Sequence, residues 1–343
     1  MRFKVVDLNS SIKEVLEIIE KHEGKVTLYV IDEGKLYGTV TEGDIRRGII
    51  KFHISANDKV SKVTNRSPKK IYISKIDYKE LINLRKEKYT SIPIVNESEE
   101  LIRVLDLDIN KNILPIDAII MAGGKGVRLK PLTDNCPKPL LEVGNKPIIE
   151  YGIERMIYDG ISKIHISINY LKEQLVDYSR RLELEKGIPI NCIEEKEFSG
   201  TIASARDAVI NQPYCLVQNS DLIADIDYEN LLLELEERNL DLIVVGIKYS
   251  HIVPFAVFDI SPNLTINSLV EKPEKIFWSN GGIYLFKTEL LDLIPENSFY
   301  NATDFIENLL KSGHKVGMFE FHGQWIDIGR HSDFEYAKSL YEK

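Results

Sequence analysis

Residues 117–150, DAIIMAGGKGVRLKPLTDNCPKPLLEVGNKPIIE, constrain this chain more than any other stretch. An apolar strand from Ile119 to Met121 runs through Ala122 into Gly123, Gly124 and Gly126, and then into Arg128 and Lys138. Glycines directly after a buried strand let the backbone approach a ligand, and their consecutive N–H groups form a cradle for an anion. Arg128 adds a planar, bidentate cation and Lys138 a point charge, a pair suited to a polyphosphate. Pro131, Pro137 and Pro139 stiffen the chain around Lys138, so its side chain projects from a fixed backbone. The paired Lys and Ser/Thr of a Walker loop are absent, and Leu129 interrupts G-x-G-x-x-G.

Taken whole, the string resembles the amino-terminal signature of the sugar-1-phosphate nucleotidyltransferases, close to G-G-x-G-T-R-L-x-P-L-T-x-x-x-P-K-P-L. Its one departure is Val127, where that family has Thr. The resemblance implies that Ala122, Gly123, Gly124, Gly126, Arg128 and Lys138 bind a nucleoside triphosphate.

With 343 residues the chain is long enough for two domains. Its charge is uneven: residues 1–115 carry 21 Lys+Arg against 18 Asp+Glu, the remainder 23 against 35. An acidic carboxyl-terminal part argues against nucleic acid as a partner and permits a magnesium site. No apolar run reaches the ~20 residues of a membrane span. The cysteines Cys136, Cys192 and Cys215 form no C-x-x-C pair or even framework, which suits a reducing cytoplasm. The seven histidines lack H-x-x-x-H or H-E-x-x-H spacing.

Beyond residue 116, strands expected at 118–121, 164–168, 188–193, 214–218 and 241–247 alternate with helices at 148–158, 171–184, about 201–210, and 228–238. That order predicts an α/β fold with a mostly parallel, Rossmann-like (GT-A-like) sheet over residues 114–343. Ligands bind such sheets beyond the carboxyl ends of the strands, where the Gly123 loop and Asp221 both fall. A carboxylate in that position suits Mg²⁺. The family has Gly-Asp where this chain has Ser220-Asp221.

Further motifs extend the resemblance in the family's order. Gly200 and Thr201 lie in EEKEFSGTIASA (194–205), a region that touches base and sugar in the family, although Ser199 and Ile202 replace its usual Leu and Ala. E-K-P supplies Glu271 and Lys272, implied to hold sugar hydroxyls and the sugar phosphate. NGGIYLF supplies Asn280 and Gly281 against the sugar, and WIDIG supplies Asp327, implied to join Asp221 on Mg²⁺. Arg128, Lys138, Asp221 and Lys272 form the implied catalytic set.

Residues 1–113 contain a faint repeat, about 1–55 and 56–113. LYVI and LYGTV (28–31, 36–40) align with IPIV and LIRVL (92–95, 101–105), each pair preceded by a helical segment. The β-α-β-β-α order resembles a tandem CBS pair. Thr41 and Asp44 match that family's G-x-[ST]-x-x-D pattern, which implies an adenosine nucleotide held at its ribose; they also read as a helix N-cap. The second repeat lacks the motif. The module also implies a homo-oligomer.

A CBS pair fused to this transferase resembles the guanylyltransferases of bacterial legionaminic-type pathways. That resemblance implies GTP and glucosamine 1-phosphate as substrates. A uridylyl- or thymidylyltransferase acting on a hexose 1-phosphate, and a non-catalytic CBS nucleotide sensor, are the alternatives.

Overall fold

Six residues, Ile116–Met121, form strand β7, and all but the last are buried. A strand buried on both faces needs parallel neighbours and helical cover, and the carboxyl-terminal unit is built around that need. The computed structural model describes residues 3–22, 26–108, 110–195 and 198–342. The chain divides into two units, Met1–Ile113 and Leu114–Lys343.

In the amino-terminal unit, β1 (Phe3–Asp7), α1 (Ile12–Glu20), β2 (Thr27–Asp32), β3 (Lys35–Thr41) and α2 (Glu42–Phe52) make the first repeat. The second has β4 (Ile71–Tyr72), α3 (Tyr78–Lys86), β5 (Ser91–Val95) and β6 (Leu101–Asp106). Each forms a three-stranded sheet in which the first pair is parallel and the second antiparallel. Within the amino-terminal unit no helix follows β6 among the described residues, whereas α2 follows β3 in the first repeat. Ile12, Val15, Leu28, Val30, Val40 and Ile45 fill the first core. Thr41 and Asp44 close a capping box at the start of α2, with Thr41 Oγ1 2.6 Å from Asp44 Oδ2, and Arg47 pairs with the same carboxylate.

The carboxyl-terminal unit continues with β8 (Glu142–Val143), β9 (Lys146–Pro147), α4 (Ile148–Asp159), β10 (Ile164–Ile168), α5 (Lys172–Lys186) and β11 (Ile190–Glu194). Then follow β12 (Tyr214–Asn219), β13 (Leu222–Ala224), α6 (Tyr228–Glu237), β14 (Leu242–Ile252), β15 (Val257–Ile260), β16 (Ile266–Val270) and β17 (Glu274–Lys287). The unit ends with α7 (Ala302–Lys311), β18 (Val316–Phe321), β19 (Trp325–Asp327) and α8 (His331–Tyr341). Its seven-stranded sheet has the order β11-β10-β7-β12-β17-β14-β18. Only β17 runs antiparallel to the rest, so the sheet is mostly parallel. The α/β class expected from the alternation is the observed one.

Two features depart from that pattern. The segment near 201–210 contains only a short 3₁₀ turn, Ala203–Asp207, because Gly200 at φ 106° and the chain near Tyr300 fix its backbone instead of a helical ladder. Residues 248–279, not assigned to strands from sequence, continue β14 and β17 past the sheet as a ribbon that includes β15 and β16.

Candidate active site

Register explains why distant motifs meet. β12 lies parallel beside β7 with Asn219 opposite Met121, so the Gly123 loop and Asp221 leave the sheet together. The Ser220 N–H donates to Met121 O at 3.2 Å and joins the two exits. β13 then pairs antiparallel with β19, placing Leu222 opposite Asp327, and the Ile328 N–H donates to Asp221 O at 3.0 Å. Two carboxylates more than a hundred residues apart thus lie on adjacent strands.

The glycine loop is shaped by what surrounds it. The Ala122 N–H donates to Ser167 O at 3.0 Å. A Cβ on Gly123 would fall 2.8 Å from Glu195 Oε1, so a side chain here would collide with a buried carboxylate. Gly124 has open space, and Gly126 takes φ 59° with Lys138 and Thr133 tight against it. Thr133 Oγ1 donates to Gly126 O at 3.0 Å and holds the turn.

Lys138 is buried, and its Nζ donates to Asp221 Oδ2 at 2.5 Å. Asp221 Oδ1 is buried without a partner. Asp327 reaches solvent, but the protein crowding its carboxyl and then the Asp221 charge raise its pKa above the usual value, opposed by Lys138 and Arg128. Arg128 is exposed, its guanidinium beside Gly329. An orphaned oxygen beside a second, mutually repelling carboxylate is a donor set that fits a hard divalent cation.

Next to Asp327 opens a cleft of about 330 Å³. Thr201, Asn280 and Gly281 line it, together with Asn219, Tyr284, Asn301 and Trp325, which sequence reading did not single out. Asn280 Nδ2 donates to the Tyr284 hydroxyl at 2.8 Å, and Trp325 Nε1 donates to Gly281 O at 3.0 Å. Thr201 Oγ1 accepts from the Ala302 N–H at 2.9 Å, tying the segment after Gly200 to the start of α7. Asn219 could have been found from its place just before Asp221. Trp325 could have been found as the first residue of WIDIG, whereas Asn301 belongs to no motif read from the sequence.

Glu271 and Lys272 do not join this group. They lie exposed in the turn between β16 and β17 and line no part of the cleft. Glu195 is the reverse case, a residue of the EEKEFSGTIASA segment that was not singled out and that lies directly behind Gly123. Its Oε1 accepts from the Ser167 and Ser204 hydroxyls, while its Oε2 is buried with no partner.

Residues 117–343 match the family model described as nucleotidyl transferase. The chain belongs to the nucleotidyl transferase family. Residues 2–51 match the CBS domain model, within the first amino-terminal repeat. The chain is 31% identical over 233 residues to mannose-1-phosphate guanyltransferase 2 of Candida glabrata, covering 65% of this chain and 64% of that one. It is 34% identical over 239 residues to the bifunctional protein GlmU of Methanocaldococcus jannaschii, covering 66% and 55%. The chain therefore spans less than two thirds of the length of these curated relatives. A Bacillus anthracis crystal structure, provisionally assigned as a glucose-1-phosphate thymidylyltransferase in complex with a sucrose, superposes with a TM-score of 0.53 at 25% identity. That match covers 66% of this chain and 96% of the other. The glycine loop, Lys138, Asp221 and Asp327 all fall inside the nucleotidyl transferase match.

Proposed function

We propose that the carboxyl-terminal unit joins a sugar 1-phosphate to a nucleoside triphosphate, releasing pyrophosphate, with GTP and glucosamine 1-phosphate as substrates. The observation that carries this reading is the convergence of Lys138, Asp221 and Asp327 beside the glycine loop. In-line attack forms a bond from a sugar-phosphate oxygen to the α-phosphorus and breaks the bond to the β-phosphate. Such a transfer needs positioning and charge neutralisation more than a covalent nucleophile. The N–H groups of the Gly123 loop and the Arg128 guanidinium receive the departing phosphates. Lys138, exchanging its Asp221 partner for phosphate oxygen, neutralises the α-phosphate. Asp221 and Asp327 would hold Mg²⁺, which would supply further neutralisation of phosphate charge. Asn280, Tyr284 and Thr201 offer amide and hydroxyl groups to the sugar, with Trp325 as an apolar wall. Lys272, assigned to the sugar phosphate from sequence, stands outside the cleft and carries no step here.

The choice of GTP and of glucosamine 1-phosphate rests on the resemblance of the whole architecture to legionaminic-type guanylyltransferases.

The test incubates the full chain with Mg²⁺, each nucleoside triphosphate, and a panel of hexose 1-phosphates, with pyrophosphatase converting released pyrophosphate into a phosphate signal. Signal confined to GTP with an amino-hexose phosphate supports the reading. Signal with UTP or dTTP keeps the transfer and discards the guanine assignment. Silence across the panel, with nucleotide still bound at the amino-terminal repeats, overturns the reading in favour of a nucleotide sensor.

A further inference from the structure

β18 accompanies β14 only as far as Ile247, and β12 accompanies β17 only from Ile283 onward. Between those points residues 248–279 form a two-stranded ribbon. Its pairs run from Lys248 opposite Trp278 and Tyr249 opposite Phe277 out to Phe258 opposite Leu269. Both outer edges are unpaired among the described residues. A lone two-stranded ribbon is marginally stable in water, and its open edges invite another chain.

The side chains sharpen the problem. Twelve large apolar residues of the ribbon are exposed, among them Phe255 at 73%, Phe258 at 51% and Leu269 at 55%. They occupy both faces: Tyr249 and Phe277 lie on one, Ile276 and Trp278 on the other. At roughly half of ~200 Å² each, they offer on the order of 1,000 Å² summed over both faces, which reaches the ~800 Å² per partner of a standard stable interface where a partner contacts both faces.

The charge pattern indicates what covers them. The chain as a whole carries −9, but the ribbon balances Lys248, Lys272 and Lys275 against Asp259, Glu271 and Glu274. Two acidic copies repel least where each is neutral, and the mixed signs can pair across a two-fold axis. We propose that the ribbon is the self-association surface of this chain, covered in solution by the ribbon of a second copy. This assignment is independent of the transfer reaction.

The full-length chain is examined by sedimentation equilibrium, by hydrogen exchange across a dilution series, and with the facing pair changed together, Phe258→Asp and Leu269→Asp. The expected result is a twofold fall in assembled mass in the double variant, with pyrophosphate release within twofold of wild type. In the wild type, ribbon amides should be protected in the assembled species and lose protection on dilution. Should the double variant misfold, Phe255→Ser and the wild-type exchange pattern carry the test. An unchanged mass in the folded variant, a wild-type monomer at the highest soluble concentration, or free exchange of ribbon amides within the assembly overturns the proposal. Protection persisting in the monomer also overturns it, since the ribbon is then covered by its own chain.

Discussion

Lys138 Nζ meets Asp221 Oδ2 at 2.5 Å across 83 residues of sequence, and Asp221 Oδ1 is left buried beside it with no partner. On the proposed reading one carboxylate serves a lysine on one oxygen and offers the other to Mg²⁺, so the pair would couple phosphate binding to metal binding.

That coupling separates the two residues experimentally. Asp221→Asn should lower turnover by at least tenfold while leaving the fold intact, since the shape is kept and only the charge partner is lost. Lys138→Met should lower turnover by about 10²-fold. It should also enlarge the rise in melting temperature on adding Mg²⁺, because Asp221 then has no competing cation. Equal Mg²⁺ responses in wild type and Lys138→Met would count against a shared carboxylate.

Gly200 and Gly124 make a contrasting pair. At Gly200, φ is 106° and a Cβ would lie 2.4 Å from the backbone oxygen of Tyr300, so Gly200→Ala should cost roughly 2–4 kcal/mol. At Gly124 nothing lies within 4 Å, so Gly124→Ala should leave stability nearly unchanged and weaken nucleotide binding. Tryptophan fluorescence during urea unfolding reads this directly, since Trp278 and Trp325 both belong to the carboxyl-terminal unit.

Asp241 predicts a pH dependence. Lys287 Nζ donates to its Oδ1 at 2.6 Å and the Lys315 N–H to its Oδ2 at 2.9 Å, and these bonds hold its carboxyl below the usual range. A depressed folded-state pKa contributes stability that is present above the unfolded value and lost as pH falls through the folded one. Asp241→Asn should therefore cost about 1–2 kcal/mol near neutrality, with the gap closing below about pH 4. Melting curves of both proteins across that range check the sign.

In the amino-terminal unit, Thr41 and Asp44 already satisfy one another at the start of α2. Thr41→Ala should destabilise that unit by about 1 kcal/mol through loss of the cap alone. If the same two residues also hold a ribose, AMP or ATP should raise the unit's calorimetric transition in wild type and not in Asp44→Ala. No shift in wild type leaves them as a cap.

The sequence alone carried the glycine loop, the strand–helix alternation and the amino-terminal repeat. Each is written in local residue order, where period, turn chemistry and a fixed string of cations act within a few residues of one another. Asp221 was legible for the same reason, as the carboxylate that ends a strand. The resemblance implied that Asp327 joins Asp221. Only the tertiary structure supplied the β13–β19 pairing that brings them together, because strand pairing is non-local and leaves no mark in the intervening residues. It alone set Glu195 behind Gly123, where a missing Cβ makes room for a carboxylate from a distant strand. It also kept Lys272 out of the cleft, since β14 and β17 keep pairing beyond the sheet and carry the turn between β16 and β17 away with them.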